Sequence, residues 1–179
     1  YSFFYKPLEL RDGSIMITGR GFNPVTVSDD FILVKLDNNG NLVWNKTYQS
    51  RFWQRGNGSA DVFGLHDLKQ DPVTGDVYMT GYHWSDPSAV TKIDPADGHI
   101  IWSNAYDTWS TNRAFGVVVE PTRLLLFLLE YNSSNESYIN VVGIDKSNGD
   151  TLFSKSIRQT GDLYAARLFS GDQVVKMNN

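Results

Sequence analysis

The sequence contains no cysteine, and this absence excludes several kinds of chemistry. A chain without thiols forms no disulfide, offers no thiolate nucleophile, and cannot hold zinc or an iron–sulfur cluster through sulfur. Positive charge is also scarce, since 16 lysines and arginines face 20 aspartates and glutamates, for a net charge of −4. General nucleic-acid binders carry an excess of basic residues, so we expect no nucleic-acid partner.

Long hydrophobic runs are missing as well. The longest uninterrupted one covers residues 124–129, between Arg123 and Glu130. A membrane-spanning helix needs about 20 apolar residues, so we expect no membrane span, and the run is typical of a buried strand. A hydrophobic content of 41% in 179 residues is nevertheless enough for the packed core of one domain.

The sequence has instead an internal repeat. An aspartate, a following glycine and an aromatic residue four positions past that glycine occur in segments 37–44, 94–102 and 145–153. The glycines are 58 and then 51 residues apart, and the aromatic residues keep the same spacing. The repeated residues are Gly40, Gly98 and Gly149, and Trp44, Trp102 and Phe153. Agreement between two sets of anchors indicates a true structural repeat.

Each repeat predicts four β-strands, because valine, isoleucine and aromatic residues alternate with turn residues. The aspartate–glycine segments predict tight hairpins between the last two strands, with the glycine at positive φ. Four antiparallel strands per repeat of about 50 residues are typical of β-propeller blades. We therefore predict an all-β chain forming part of a single β-propeller domain of about three and a half blades. The blades would cover about 1–50, 51–108 and 109–159, with a partial blade at 160–179.

A closed propeller needs at least about four blades. The expected partners are therefore more blades of the same polypeptide, or a second chain that closes the ring. Apolar surfaces between blades are otherwise left uncovered, and open strand edges favour association.

The Asp-x(2–3)-Gly-x(3)-aromatic element resembles the tryptophan-docking motif of quinoprotein propellers, the pyrroloquinoline-quinone (PQQ) family. The longer pattern is closest to the related non-enzymatic surface propeller repeats, which it follows at 13–19, 30–44, 75–81 and 92–102. The third repeat departs from the pattern, with Gly143 in place of lysine and Phe153 in place of tryptophan. The resemblance implies that Trp44, Trp102 and Phe153 pack between adjacent blades, as structural docking residues.

Two functions stay open at this point. The leading hypothesis is a non-catalytic extracellular or cell-surface propeller module that binds protein or glycan, or builds a surface assembly. The alternative is a fragment of a PQQ-dependent dehydrogenase or of another propeller enzyme. The dehydrogenases that the chain resembles also carry an adjacent-cysteine disulfide and calcium-binding side chains, and no residue here carries over for either. We therefore favour a chain without catalytic residues, metal site or cofactor.

The candidate binding residues lie in the longer predicted connections, which share one face of the blades with the predicted loop 21–29. Aromatic residues and arginine are enriched at interfaces, since they combine contact area with polar tips. The candidates are Trp53, Arg55, His83, Trp84 and Trp109. The competing interpretation is that Phe52, Trp53 and Trp109 fold down between blades. Asp94 and Asp97 resemble part of a calcium loop, but turn-forming hydrogen bonds from aspartate explain them more simply.

Four Asn-x-Ser/Thr sequons favour an extracellular location. They begin at Asn45, Asn57, Asn132 and Asn135. The last three fall in predicted loops of the same face, where a glycan could stand in solvent. We predict N-linked sugar on at least one of these three if the source is eukaryotic.

Overall fold

The computed structural model describes residues 2–25, 28–48, 62–83, 88–106, 111–131 and 137–158. These residues form twelve β-strands and no helix. The first sheet holds β1 (Ser2–Glu9), β2 (Ile15–Asn23), β3 (Ser28–Leu36) and β4 (Leu42–Tyr48). The second holds β5 (Val62–Gln70), β6 (Val77–His83), β7 (Ser88–Ile93) and β8 (Ile100–Tyr106). The third holds β9 (Thr111–Val119), β10 (Arg123–Tyr131), β11 (Ser137–Asp145) and β12 (Thr151–Arg158).

In each sheet the four strands follow chain order, and neighbours pair antiparallel. The prediction of an all-β chain with four strands per repeat is therefore confirmed. The fourth repeat predicted at 160–179 lies outside the described residues.

The largest error in strand position concerns the predicted loop 21–29. Strand β2 continues to Asn23 and β3 begins at Ser28, so Gly21 pairs with Asp30 and Asn23 with Ser28. Glycine, asparagine and aspartate are rare in strands, which favours a loop in the sequence. The backbone ladder needs only N–H and C=O groups, so it extends through these residues.

The hairpin turns between the last two strands have the predicted conformation. In turns 37–41, 94–99 and 145–150 the first aspartate accepts the amide two residues further on, at 2.7–2.9 Å. Each turn glycine adopts a positive φ, 83° at Gly40, 77° at Gly98 and 79° at Gly149. The repeated motif is thus a hairpin turn at one end of every described sheet, with the first turn one residue shorter than the other two.

The cores lie between consecutive sheets. One cluster joins the first and second sheets through buried Met16, Phe31, Leu33, Leu68, Val77, Met79 and Ile93. Another joins the second and third through buried Tyr78, Val90, Tyr106, Val117, Leu124, Leu126, Leu128 and Ile144. Alternate residues of β10 point into this second cluster, which confirms the buried strand predicted for the run 124–129.

Candidate functional site

The predicted binding residues fall almost entirely outside the described part of the chain. Trp53, Arg55, Trp84 and Trp109 are among the residues that the structure does not describe. His83 is the last residue of β6, and its side chain is also outside the described set. A binding site formed by these predicted connections therefore stays a prediction.

The sequons are divided in the same way. Asn57, Asn132 and Asn135 lie outside the described residues. Asn45 lies on β4, the last strand of the first sheet, and its side chain and that of Thr47 are exposed. Both sequon side chains are accessible there, and glycosylation stays a prediction.

The clearest assembled site is the contact of Trp44 with the 94–99 turn of the next sheet. A Cβ placed on Gly98 would lie 3.0 Å from Trp44 Cη2 and 3.1 Å from Lys46 Cγ. Gly98 is buried, although its turn is otherwise polar. Four residues past Trp44, on the same face of β4, Tyr48 Oη donates a hydrogen bond to Gly98 O. The indole thus covers a glycine that has no side chain to obstruct it.

The same contact recurs between the second and third sheets. A Cβ placed on Gly149 would lie 2.9 Å from Trp102 Cε3, and Gly149 is also buried. Tyr106 Oη donates to Gly149 O at 2.7 Å, and Trp102 Nε1 donates to Lys146 O at 3.2 Å. Trp44 Nε1 differs, since it is buried and has no hydrogen-bond partner among the described residues. The repeat therefore extends to three-dimensional contacts as well as to sequence.

Two lysines complete the docking contact, and they were not among the residues singled out from the sequence. Each lies opposite the docking tryptophan on the neighbouring strand. Each also contacts a carboxylate of its own sheet and a carbonyl of the next. Lys35 Nζ lies 3.5 Å from Asp12 Oδ2 and donates to Pro95 O at 3.1 Å, and Lys92 Nζ lies 2.9 Å from Asp76 Oδ2 and donates to Lys146 O at 3.3 Å. The signal was present, because both precede the repeated aspartate by two positions.

The environment of the docking tyrosines disfavours their ionised form. Burial, with a smaller contribution from the Asp97 carboxylate, raises the pKa of Tyr48 to about 12. Burial likewise raises the pKa of Tyr106. Both hydroxyls therefore stay protonated, and able to donate, across the physiological range.

The third sheet does not repeat these donors. Phe153 is half-buried, and its ring occupies the space above Gly143 of its own sheet, where any Cβ would collide with it. The Arg123 guanidinium lies 5.4 Å from the centre of the same ring. Ile157 stands where the other sheets have a tyrosine, and it is exposed. The inter-blade partner predicted for Phe153 lies outside the described residues.

A buried carboxylate links the first strands of all three sheets. Asp67 on β5 is buried, and its Oδ1 lies 2.8 Å from Lys6 Nζ on β1. The same oxygen accepts the Leu68 amide at 3.0 Å, and Oδ2 accepts the Val117 amide of β9 at 3.2 Å. These hydrogen bonds compensate the cost of burying the charge.

A second buried pair joins the β5–β6 turn to the third sheet. Lys146 Nζ lies 2.5 Å from Asp71 Oδ2 and donates to the carbonyls of Glu120 and Pro121 at 3.0 Å. Burial alone would raise the pKa of Asp71. Hydrogen bonds from Lys146 and from the Val73 and neighbouring Thr74 amides outweigh burial and hold this pKa below its usual value.

One described turn brings two carboxylates and an imidazole together. Asp94, Asp97 and His99 place ligand-type atoms within 4.8 Å of one another. Asp97 Oδ1 already accepts the His99 amide at 2.9 Å and lies 2.7 Å from His99 Nδ1. The His99 amide and side chain hold the pKa of Asp97 below its usual value. All these contacts lie within the turn, so the turn itself accounts for the residues.

Comparison of the sequence with known protein families and with curated proteins found no match. Among the described residues, no helix is long and apolar enough to cross a membrane.

Proposed function

We propose that the three sheets are successive blades of a β-propeller and that the chain is a non-catalytic extracellular or cell-surface module. Its role would be to bind protein or glycan, or to build a surface assembly. The observation that carries the proposal is the repeated contact of an outer-strand tryptophan with the turn glycine of the next sheet. Because Trp44 and Trp102 make the same contact, consecutive sheets are related by a similar step, as blades are.

The buried charges support a scaffold rather than a reaction centre. Two of the buried carboxylates, Asp67 and Asp71, are each paired with a lysine. Each also accepts backbone amides. Carboxylates occupied in this way bind sheets together and have little capacity left for a substrate.

The proposed ligand-binding surface lies at the end of the sheets at which β6 stops and β7 begins. Trp84 and His83 belong to that connection, and Trp53, Arg55 and Trp109 belong to the connections between sheets. In a meander of antiparallel strands these connections lie at the same end of the sheets, and the 94–99 turn lies at the opposite end. The extracellular location rests on the sequons, with the accessible Asn45 as the described example.

Spin-label distances test the blade arrangement. The chain has no native cysteine, so labels can be introduced in pairs at Asn39, Ala96 and Ser147, three exposed positions equivalent in the turns. Blades arranged around an axis give equal 39–96 and 96–147 distances and a 39–147 distance shorter than their sum. A 39–147 distance equal to the sum would indicate a straight stack and overturn the propeller.

Binding is tested with a glycan array and with affinity capture of surface proteins, using Trp84→Ala and Trp109→Ala. His99→Ala is the matched control, because His99 is exposed at the opposite end of the sheets. We expect the tryptophan variants to lose a ligand that the wild type and the control retain. Equal binding by all variants would show that the connections carrying Trp84 and Trp109 are not the binding site.

A further inference from the structure

The 37–41 turn of the first sheet is the one described hairpin of its type on which no described residue docks. Gly98 and Gly149 are buried beneath a tryptophan, whereas Gly40 is exposed. A Cβ placed on Gly40 would meet no atom within 4 Å. The turn is nevertheless formed, since Asp37 accepts the amides of Asn39 and Asn41 at 2.9 and 2.8 Å.

The open turn keeps the features used for docking in the other two. Gly40 has a φ of 83°, close to the 77° of Gly98. The first turn is one residue shorter between aspartate and glycine, but it retains the carbonyl after the aspartate and that of the glycine. In the second and third sheets the equivalent carbonyls accept a lysine and a tyrosine.

The third sheet lacks the groups that such a turn accepts. Where the other sheets have lysine, tryptophan and tyrosine side chains, the third sheet has Gly143, Phe153 and Ile157, none of which has a side-chain donor. Elsewhere in the sequence a tryptophan is followed four positions later by a tyrosine only at Trp44 and Trp102. Both of these already cover a turn within the chain.

We propose that the 37–41 turn is the docking site for the outer strand of a further repeat of the same polypeptide, outside these 179 residues. That strand carries a Trp-x3-Tyr pair with a lysine opposite the tryptophan. The proposal rests on the blade arrangement proposed above, and it identifies the partner of the first sheet. Two observations support it. The chain already forms two equivalent interfaces of this kind, and the carbonyls of the 37–41 turn match the donors that such a strand would offer. It also predicts that the third sheet of a second copy does not fill the site.

The test supplies the missing strand by placing a second copy of residues 1–61 ahead of Tyr1 of the full chain. The added copy carries Val43→Ala, an exposed position on β4, so that its 37–44 peptide differs in mass from the original one. Hydrogen exchange is then followed by mass spectrometry on the peptide that spans residues 37–44 of the original copy. We expect exchange to slow by about tenfold or more relative to the 179-residue chain, as for an amide that becomes buried in an interface. The 94–99 turn serves as an internal reference for folding.

The matched control carries the residues of the third sheet in the added copy, namely Lys35→Gly, Trp44→Phe and Tyr48→Ile. This fusion should leave exchange at 37–41 as fast as in the unfused chain. Equal protection by both fusions, or by neither while the 94–99 turn stays protected, would overturn the proposal.

Failure of the blade arrangement gives a different result. In that case the 39–147 spin-label distance in the unfused chain would equal the sum of the 39–96 and 96–147 distances. If only the present inference is wrong, the 39–147 distance stays shorter than that sum, and the fusion fails to protect 37–41.

Discussion

Tyr48 and Tyr106 each place a hydroxyl against the carbonyl of a glycine in the next sheet. A carbonyl buried under an aromatic ring is shielded from water, and leaving it unpaired costs about 1–3 kcal/mol. Tyrosine supplies both the apolar area and the donor that such a position needs. The hydroxyl therefore pairs the glycine carbonyl, while the neighbouring indole covers the same glycine.

The first prediction concerns the alkaline titration of Tyr48. An unfolded tyrosine ionises near pH 10, whereas burial raises the pKa of Tyr48 to about 12. The folded state therefore holds a proton that the unfolded state loses between these values. The stability that this group contributes is complete below about pH 10 and is lost as the pH rises toward 12. Ultraviolet absorbance of tyrosinate should show one fewer late-titrating group in Tyr48→Phe, and identical curves would contradict the assignment.

The second prediction compares two glycines of the same conformation. Gly40 and Gly98 both have positive φ, so alanine at either site costs about 1–2 kcal/mol of backbone strain. At Gly98 the new Cβ also meets the Trp44 ring at 3.0 Å, which adds about 1–3 kcal/mol of overpacking. Urea unfolding should therefore show a larger loss for Gly98→Ala than for Gly40→Ala. Equal losses would mean that the indole does not rest on this turn.

At the scale of elements, the outer strand of each sheet determines how the next sheet is held. Strands β4 and β8 present tryptophan and tyrosine on the face that meets the next turn. Strand β12 presents Phe153, whose ring lies against its own sheet. The strands are equivalent in position and register, but their docking capacity differs because of three residue types.

The third prediction follows from this difference. Trp44→Ala and Trp102→Ala should each lower the free energy of unfolding by about 3–4 kcal/mol, the lower part of the range for large aromatic residues, since both rings are half-buried. Phe153→Ala should cost less, because the described neighbours of its ring, Gly143 and Arg123, belong to its own sheet. Val43→Ala, exposed on β4, is the control and should stay within about 0.5 kcal/mol of wild type. Losses for the tryptophans no larger than for Val43 would place them on the surface.

Much of this element structure could be predicted from the sequence, because it depends on local signals. Alternation, turn aspartates and glycines gave four strands per repeat, and the spacing of Trp44 and Trp102 gave equivalent positions. The extension of β2 through Gly21 to Asn23 could not be predicted, because strand preferences there oppose the pairing that tertiary context permits. The repeated Lys-x-Asp pattern marks the positions of Lys35 and Lys92, but their contacts with a carbonyl in another sheet depend on how the sheets pack.

At the scale of the whole molecule, buried charges join the sheets near their first strands. Lys6 and Asp67 are 61 residues apart in sequence, and the Val117 amide that Asp67 also accepts belongs to the third sheet. Such pairs carry no sequence signature, since each partner alone is an ordinary lysine or aspartate. They appear only once the sheets are packed. Removing one partner leaves the other charge buried, so these pairs make the sheets interdependent.

The last prediction tests this interdependence at Asp71 and Lys146, which join the second and third sheets. The Lys146 ammonium and two turn amides hold the pKa of Asp71 below its usual value near 3.8, despite burial. The stabilisation from this carboxylate is therefore present above about pH 4 and is lost as the pH falls through the lowered folded-state pKa. Asp71→Asn should make the loss of stability in acid less steep.

At neutral pH, Asp71→Asn and Lys146→Met should each cost about 3–5 kcal/mol, because each leaves a buried charge unpaired. The double variant should cost clearly less than the sum, since neither charge then remains. Lys155→Met is the control for loss of a lysine, because Lys155 is exposed on β12. Urea unfolding of the wild type, the two single variants and the double variant across the acid range completes the double-mutant cycle. Strictly additive losses would show that the two side chains do not interact, and the junction of the second and third sheets would then rest on Trp102, Tyr106 and the apolar core.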